Sequence, residues 1–178
     1  MFRVKDVMTL EVATCRPEDS LETVVRIMRD RGCGCVPVLD AAMRVVGLIT
    51  DRDAVMCALR RGRSLPELRA GEAGSRDVIC CDVDDALERA EALMRVNHVR
   101  RLPVLGPGRV LVGVLSLTDL ARHLELSEGV EGCSGLSARH IAVLLAETSG
   151  ARRLLAARGH SRHRGRGPHP VIESIFHG

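Results

Sequence analysis

The chain has no tryptophan and no tyrosine, and its two phenylalanines, Phe2 and Phe176, stand at opposite ends. Its core must be built from Leu, Val, Ile, Met and Ala, and the aromatic platforms on which RNA-recognition and single-strand-binding folds stack bases are missing. No run approaches the roughly 20 apolar residues of a membrane-spanning helix, and Met1 to Asp6 lead into no apolar signal region, so a soluble, cytoplasmic protein is expected. Catalytic signatures are lacking too. There is no Gly-x-x-x-x-Gly-Lys loop, no Gly-x-Ser-x-Gly elbow and no histidine paired with a nucleophile in the body of the chain. Gly106-Pro107-Gly108 reads as a turn between strands rather than a phosphate cradle. No enzyme activity, metal site or required cofactor is expected.

The seven cysteines are odd in number and lack an export signal, which argues for free thiols. Cys33 with Cys35, and Cys80 with Cys81, raise a redox or metal role. Neither pair has Cys-x-x-Cys spacing, and small buried hydrophobes are the competing reading.

What is present is a chain of 178 residues with 46% hydrophobic content, enough for one compact domain or two small ones sharing a core. Charge is uneven. Residues 1–132 hold 19 Lys and Arg against 21 Asp and Glu, whereas residues 133–178 hold 7 against 2. The slight net basicity therefore belongs to the tail.

Two stretches organise the rest: Gly47-Leu48-Ile49-Thr50-Asp51-Arg52-Asp53 and, 66 residues later, Gly113-Val114-Leu115-Ser116-Leu117-Thr118-Asp119. Each reads as glycine, the end of a buried strand, a hydroxyl residue at a helix N-cap and an aspartate in the first helical turn. Free N–H groups at the helix start can receive a phosphate, and the carboxylate can accept the hydroxyls of a ribose. The same pattern also serves simply to cap a helix. Around these stretches, residues 12–55 lie over 78–121 without a gap and with 13 identities in 44. That similarity marks a duplicated unit.

In the first copy, residues 3–11 are a lead-in and 12–15 are extended. A helix starts over Pro17 to Ser20, with Asp19 and Glu22 spaced like a capping box and Leu21, Val24, Val25 and Met28 on its buried face. Gly32 and Gly34 end it. Strands follow at 36–39 and 45–49, and a second helix runs from Thr50 to about Arg61. The order is strand, helix, strand, strand, helix, and it then repeats. Three-stranded units of about 60 residues are marginal alone, so the copies should pack sheet against sheet around one core.

The Val7-Met8-Thr9 lead-in, Val36-Pro37-Val38 with its twin Leu102-Pro103-Val104, and both glycine-to-aspartate stretches resemble the cystathionine-β-synthase (CBS) domain pair, or Bateman module. The resemblance spans about residues 4–125. It implies an α/β (α+β) fold of tandem repeats packed as a pseudo-two-fold pair, with repeat 1 at 1–62, a connector at 63–74 containing a short helix start at Ser64, and repeat 2 at 75–126. It also implies two clefts that bind adenosyl ligands such as AMP, ADP, ATP, S-adenosylmethionine or NAD. By matching positions, Asp53 and Asp119 would hold ribose hydroxyls, and Thr50, Ser116 and Thr118 would face ribose or phosphate. Val36 and Leu102 would line the adenine pocket by backbone and side chain, with Ala13 and Ile79 on its other wall.

The copies differ where phosphate would bind. Arg100-Arg101 stands where the first copy has Gly34-Cys35, and Arg52 is the first copy's own basic residue. Only a guanidinium can grip phosphate oxygens in two places at once. The cleft served by Asp119 and Arg101 is thus expected to be the stronger phosphate site, with phosphate drawing Arg101 and Arg52 inward. Ala73-Gly74 replaces Val7-Met8, which would thin one adenine wall. His98, in the place of Gly32, is expected to cap a helix.

After Leu126 come a linker over 127–135, a helix capped by Ser137 with Ile141, Leu144, Leu145 and Thr148 on one side, and a second helical stretch over 151–158. A basic Gly-, His- and Arg-rich tail at 159–178 is expected to be disordered. The helix at 137–148 should pack on the repeats or on a second subunit. Three functions are weighed: an adenine-nucleotide sensor acting on a protein partner, a ligand-free dimerisation scaffold whose tail meets nucleic acid or an acidic partner, and a thiol or metal sensor. The resemblance implies a homodimer through helices at 52–61 and 118–124.

Overall fold

The computed structural model describes residues 2–75, 77–127 and 136–148. In chain order the elements are α1 (Leu21–Arg31), β1 (Cys35–Leu39), β2 (Val45–Thr50), α2 (Asp51–Arg61), α3 (Ala70–Ala73), β3 (Cys81–Asp82), α4 (Leu87–Asn97), β4 (Arg101–Leu105), β5 (Leu111–Ser116), α5 (Leu117–Ser127) and α6 (Ala138–Thr148). The expected order of strand, helix, strand, strand, helix is complete in the second repeat; the first repeat lacks the opening strand expected over 12–15 and has a two-stranded sheet. The expected helical stretch over 151–158 and the basic tail lie outside the described residues.

Local chemistry sets the boundaries. The first helix begins later than expected, because Asp19 turns its carboxylate back to the Arg16 N–H at 2.7 Å and closes a turn instead. Ser20 then becomes the N-cap, accepting from the Thr23 N–H at 3.1 Å. Leu21, Val24 and Met28 are buried at the expected helical spacing. Gly32 ends the helix at φ 60°, the left-handed conformation that glycine adopts without strain. His98 takes the equivalent position at φ 54°, so the C-cap expected of it is present.

The two hairpins share one register under the 66-residue offset: Cys35 pairs with Thr50 and Val38 with Gly47, as Arg101 pairs with Ser116 and Val104 with Gly113. β3 adds a parallel third strand beside β4, whereas the first repeat has only a single bridge, Cys15 to Val38, in that place.

The expectation of one shared core is corrected. Two separate clusters form, one around Leu21, Val36 and Ile49, the other around Leu87, Leu102 and Leu115. Each is completed by a segment that precedes the opposite repeat. Val4 is wholly buried in the second repeat's cluster, and the Thr9 N–H donates to Val114 O at 2.9 Å on β5. Conversely, Leu68, Ala70 and Ala73 of the connector belong to the first repeat's cluster, and the Ser75 N–H donates to Leu48 O at 3.2 Å on β2. With its sheet and helices closed by this borrowed segment, each repeat buries its own apolar face without needing the other's. The lead-in lies so close to β5 that a Cβ at Gly113 would stand 2.9 Å from Thr9 O. Glycine is required there by contact, not by conformation.

α6 packs on α4 and α5, with Leu144 fully buried, and so covers the second repeat's helices from within the same chain. No counterpart covers α2 among the described residues, where Val55, Met56 and Leu59 are exposed.

Leu68→Ala tests the crossed packing. A mere linker residue would tolerate the change, whereas a core leucine should cost about 3 kcal/mol in urea unfolding; a loss below about 1 kcal/mol would contradict the arrangement.

Candidate functional site

Each strand-to-helix junction is held by a reciprocal cap. Thr50 Oγ1 donates to Asp53 Oδ2 at 2.6 Å, the Thr50 N–H donates to the same oxygen at 2.9 Å, and the Asp53 N–H donates back to Thr50 Oγ1 at 3.2 Å. Ser116 and Asp119 repeat the arrangement, in the same order, at 2.6, 2.8 and 3.2 Å. Capping is thus real at both aspartates, and it consumes Oδ2 in each. Asp119 Oδ1 accepts from Thr9 Oγ1 at 3.4 Å and lies 3.7 Å from Arg122. For Asp53 Oδ1 no such partner occurs among the described residues. One carboxylate oxygen per junction therefore lies outside the reciprocal cap.

Each aspartate borders a cavity. The larger, about 540 Å³, brings Ser116, Thr118 and Asp119 of the second repeat against Ala13 and the Cys33–Cys35 turn of the first. The smaller, about 300 Å³, brings Thr50, Arg52 and Asp53 of the first repeat against Ile79 and Arg100 of the second. Arg101 borders both. Each cavity is therefore composite: the cap comes from one repeat and the opposing wall from the other.

Two expected contributors are misplaced. The Val36 and Leu102 side chains are fully buried and line neither cavity. Strand alternation is the reason. Val36 pairs with Ile49 and Leu102 with Leu115, all four pointing into the cores, while the neighbouring Cys35–Thr50 and Arg101–Ser116 pairs reach the cavities. Val7-Met8 and Ala73-Gly74 likewise form no wall; the walls begin one residue on, at Thr9 and Ser75.

Residues not expected at the site include Arg31 and Arg122 in the larger cavity and Asp51 and Asp77 in the smaller, and His98, expected only as a cap, also lines the smaller. Thr148, at the end of α6, also reaches the smaller cavity. A helical period locates Arg122, which is one turn beyond Asp119; nothing in the sequence locates Thr148.

The cavities differ in charge. Arg31, Arg101 and Arg122 outnumber Glu11 and Asp119 in the larger, whereas Arg52, Arg100 and Arg101 are balanced by Asp51, Asp53 and Asp77 in the smaller. Arg101 is half-buried, and its guanidinium rests on the Gly34 backbone, where a Cβ would come within 2.6 Å of Nη2. Among the described residues it makes neither an ion pair nor a side-chain hydrogen bond. A half-buried, unpaired guanidinium beside a cavity is the arrangement that an anionic ligand completes.

The thiols are poor nucleophiles. Burial raises Cys35 to about 11, partly offset by Arg101, and raises Cys15 and Cys81 to about 12. No group of three or more metal-ligating side chains gathers among the described residues.

With Lys5 the sole lysine and no tyrosine, cysteines dominate titration at alkaline pH. The folded pKa values of Cys15, Cys35 and Cys81 lie above the ordinary 9.0, so the stabilising contribution of these three is complete below that value and is lost as pH rises toward 11 to 12. Unfolding free energy should fall between pH 9 and 11, and Cys81→Ala should flatten that slope in parallel urea titrations. An unchanged slope would show that these thiols ionise freely in the folded state.

The CBS domain model matches residues 4–59 and 70–126 of this chain. CBS domain-containing protein YhcV of Bacillus subtilis is 32% identical over 121 residues, 68% of this chain and 84% of that protein. Hypoxic response protein 1 of Mycobacterium tuberculosis is 30% identical over 124 residues, 70% of this chain and 86% of that protein. A crystal structure of Hypoxic Response Protein I with two coordinated zinc ions superposes with a TM-score of 0.63 at 28% identity, over 69% of this chain and 99% of that one. CBSX2 in complex with AMP superposes with a TM-score of 0.62 at 21% identity, over 72% and 100%. No helix among the described residues is long and apolar enough to cross a membrane.

Proposed function

Because this chain belongs to the CBS domain family, with both repeats matched, we propose that it is a regulatory, non-catalytic protein that binds an adenine nucleotide between its repeats and passes the bound state to a partner. The observation that carries this reading is Arg101: a half-buried guanidinium without an internal counter-charge among the described residues, set beside a capped carboxylate in a composite cavity. The carboxylate of Asp119 or Asp53 would take ribose hydroxyls through Oδ1, and Arg101 would take phosphate. AMP is the ligand of CBSX2, a protein of the same fold, and AMP, ADP and ATP share the groups this site addresses. The larger cavity, with its cationic excess, is read as the stronger phosphate site.

The reading extends to a homodimer, with one change from the expectation. α5 is covered by α6 of its own chain, so the contact is assigned to α2, where Val55 is 65% and Leu59 74% exposed. The free thiols fit a reducing, cytoplasmic setting. Their raised pKa values weigh against the thiol-sensor alternative, while the tail-based scaffold depends on residues outside those described.

Isothermal titration of the full chain with AMP and adenosine checks the site. Arg101→Ala should weaken AMP by roughly ten- to hundredfold, the loss of a charge-assisted contact worth about 1.5–3 kcal/mol, and change adenosine by less than about threefold. Equal losses for both ligands would remove the phosphate role.

Leu59→Asp should convert the dimer to a monomer in sedimentation at micromolar concentration. A monomeric unmodified protein, or a variant that remains dimeric, would reject the α2 contact.

A further inference from the structure

Residues 35 and 101 are equivalent by the repeat, and each opens a strand in register with a capping residue, Thr50 or Ser116. A two-fold relation brings such a pair together at its axis. The contact of the Arg101 guanidinium with Gly34 bears this out, and Cys35 lies within electrostatic reach of Arg101, of Asp119 in one cavity and of Asp51 in the other. A side chain near that axis that is long enough can border both cavities, whereas Cys35 lines only the larger. Duplication would supply two such side chains, one for each cavity. Here one of them is a small, buried thiol, and the other, Arg101, lines both cavities.

We infer that the two cavities are antagonistic toward phosphorylated ligands, because they share the single guanidinium of Arg101 and the first phosphate bound takes it from the second. The inference rests on the nucleotide-binding function proposed above. An arginine fork engages one phosphate in bidentate fashion, and once so engaged it presents the other cavity with a neutralised pair next to a second anion. The remaining arginines do not replace it. Arg31 and Arg122 on one side, and Arg52 and Arg100 on the other, are all exposed, where solvent weakens their pull. Asp51, Asp53 and Asp77 further oppose a phosphate in the smaller cavity. A ligand lacking phosphate makes no claim on Arg101, so the antagonism is specific to ligand class. It is reciprocal by linkage, whichever cavity fills first.

Titration calorimetry of the full chain with AMP and with adenosine tests this. The second AMP is expected to bind about tenfold more weakly than the first beyond the statistical factor, a typical coupling between sites, while two adenosines bind without such a penalty. Arg101→Gln should weaken AMP at both sites and shrink the gap between their affinities by about threefold or more, the remainder being the part set by the acidic lining of the smaller cavity. Gly34→Ala keeps the charge and only displaces the guanidinium, and it should shrink the AMP penalty in the same direction; it carries the test if Arg101→Gln does not fold. Two uncoupled AMP sites in the unmodified protein, or an undiminished penalty in the variants, would overturn the antagonism alone. A single adenosine per chain would also overturn it, since one cavity would not be a site. Failure of both AMP and adenosine to bind would remove it together with the function on which it rests.

Discussion

Where β2 meets α2 and where β5 meets α5, a hydroxyl and a carboxylate lock one another at 2.6 Å. Each lock stops the strand, starts the helix and holds an aspartate at the border of a cavity. A carboxylate only 8% exposed, as at Asp119, would be costly to bury without partners. Two N–H and O–H donors on Oδ2 meet that cost and hold the side chain in one rotamer. The capping and binding readings of these aspartates are therefore compatible, since the cap engages only one of the two oxygens.

The crossed segments turn two small repeats into one device. Val4 completes the core of the second repeat and Leu68 that of the first, so neither half can move without pulling on a strand edge of the other. Both cavities lie on the seam so created, with cap and wall drawn from opposite repeats. Any ligand that prefers one relative position of the repeats would act on both cavities at once.

The duplication has not stayed symmetric. Cys35 and Arg101 occupy equivalent places on the seam, one a neutral thiol and one a charge. α6 covers the helices of the second repeat only, and its last residue, Thr148, reaches the smaller cavity. Divergence has thus fallen on charge, helix cover, strand number and cavity size, and it has spared the two strand-to-helix caps and the hairpin registers.

The repeat, its element order and both caps were legible in the sequence, because they follow from local rules: hydroxyl residues cap helices, glycine ends them, and alternating apolar residues make strands. Arg101 could likewise be marked against its neutral counterpart by aligning the copies. The crossing of Val4 and Leu68 into opposite cores was not legible, since a lead-in and a connector carry no sign of which neighbour they will cover. Nor could spacing separate the Val36 side chain, turned into the core, from Cys35 at the cavity. Strand phase at the seam decides that, and it is set by how two sheets meet. Arg101, Asp53 and Asp119 could be picked out from spacing and repeat alignment alone; that two cavities share Arg101 follows only from the folded arrangement, because sharing requires residues distant along the chain to meet where the repeats face each other.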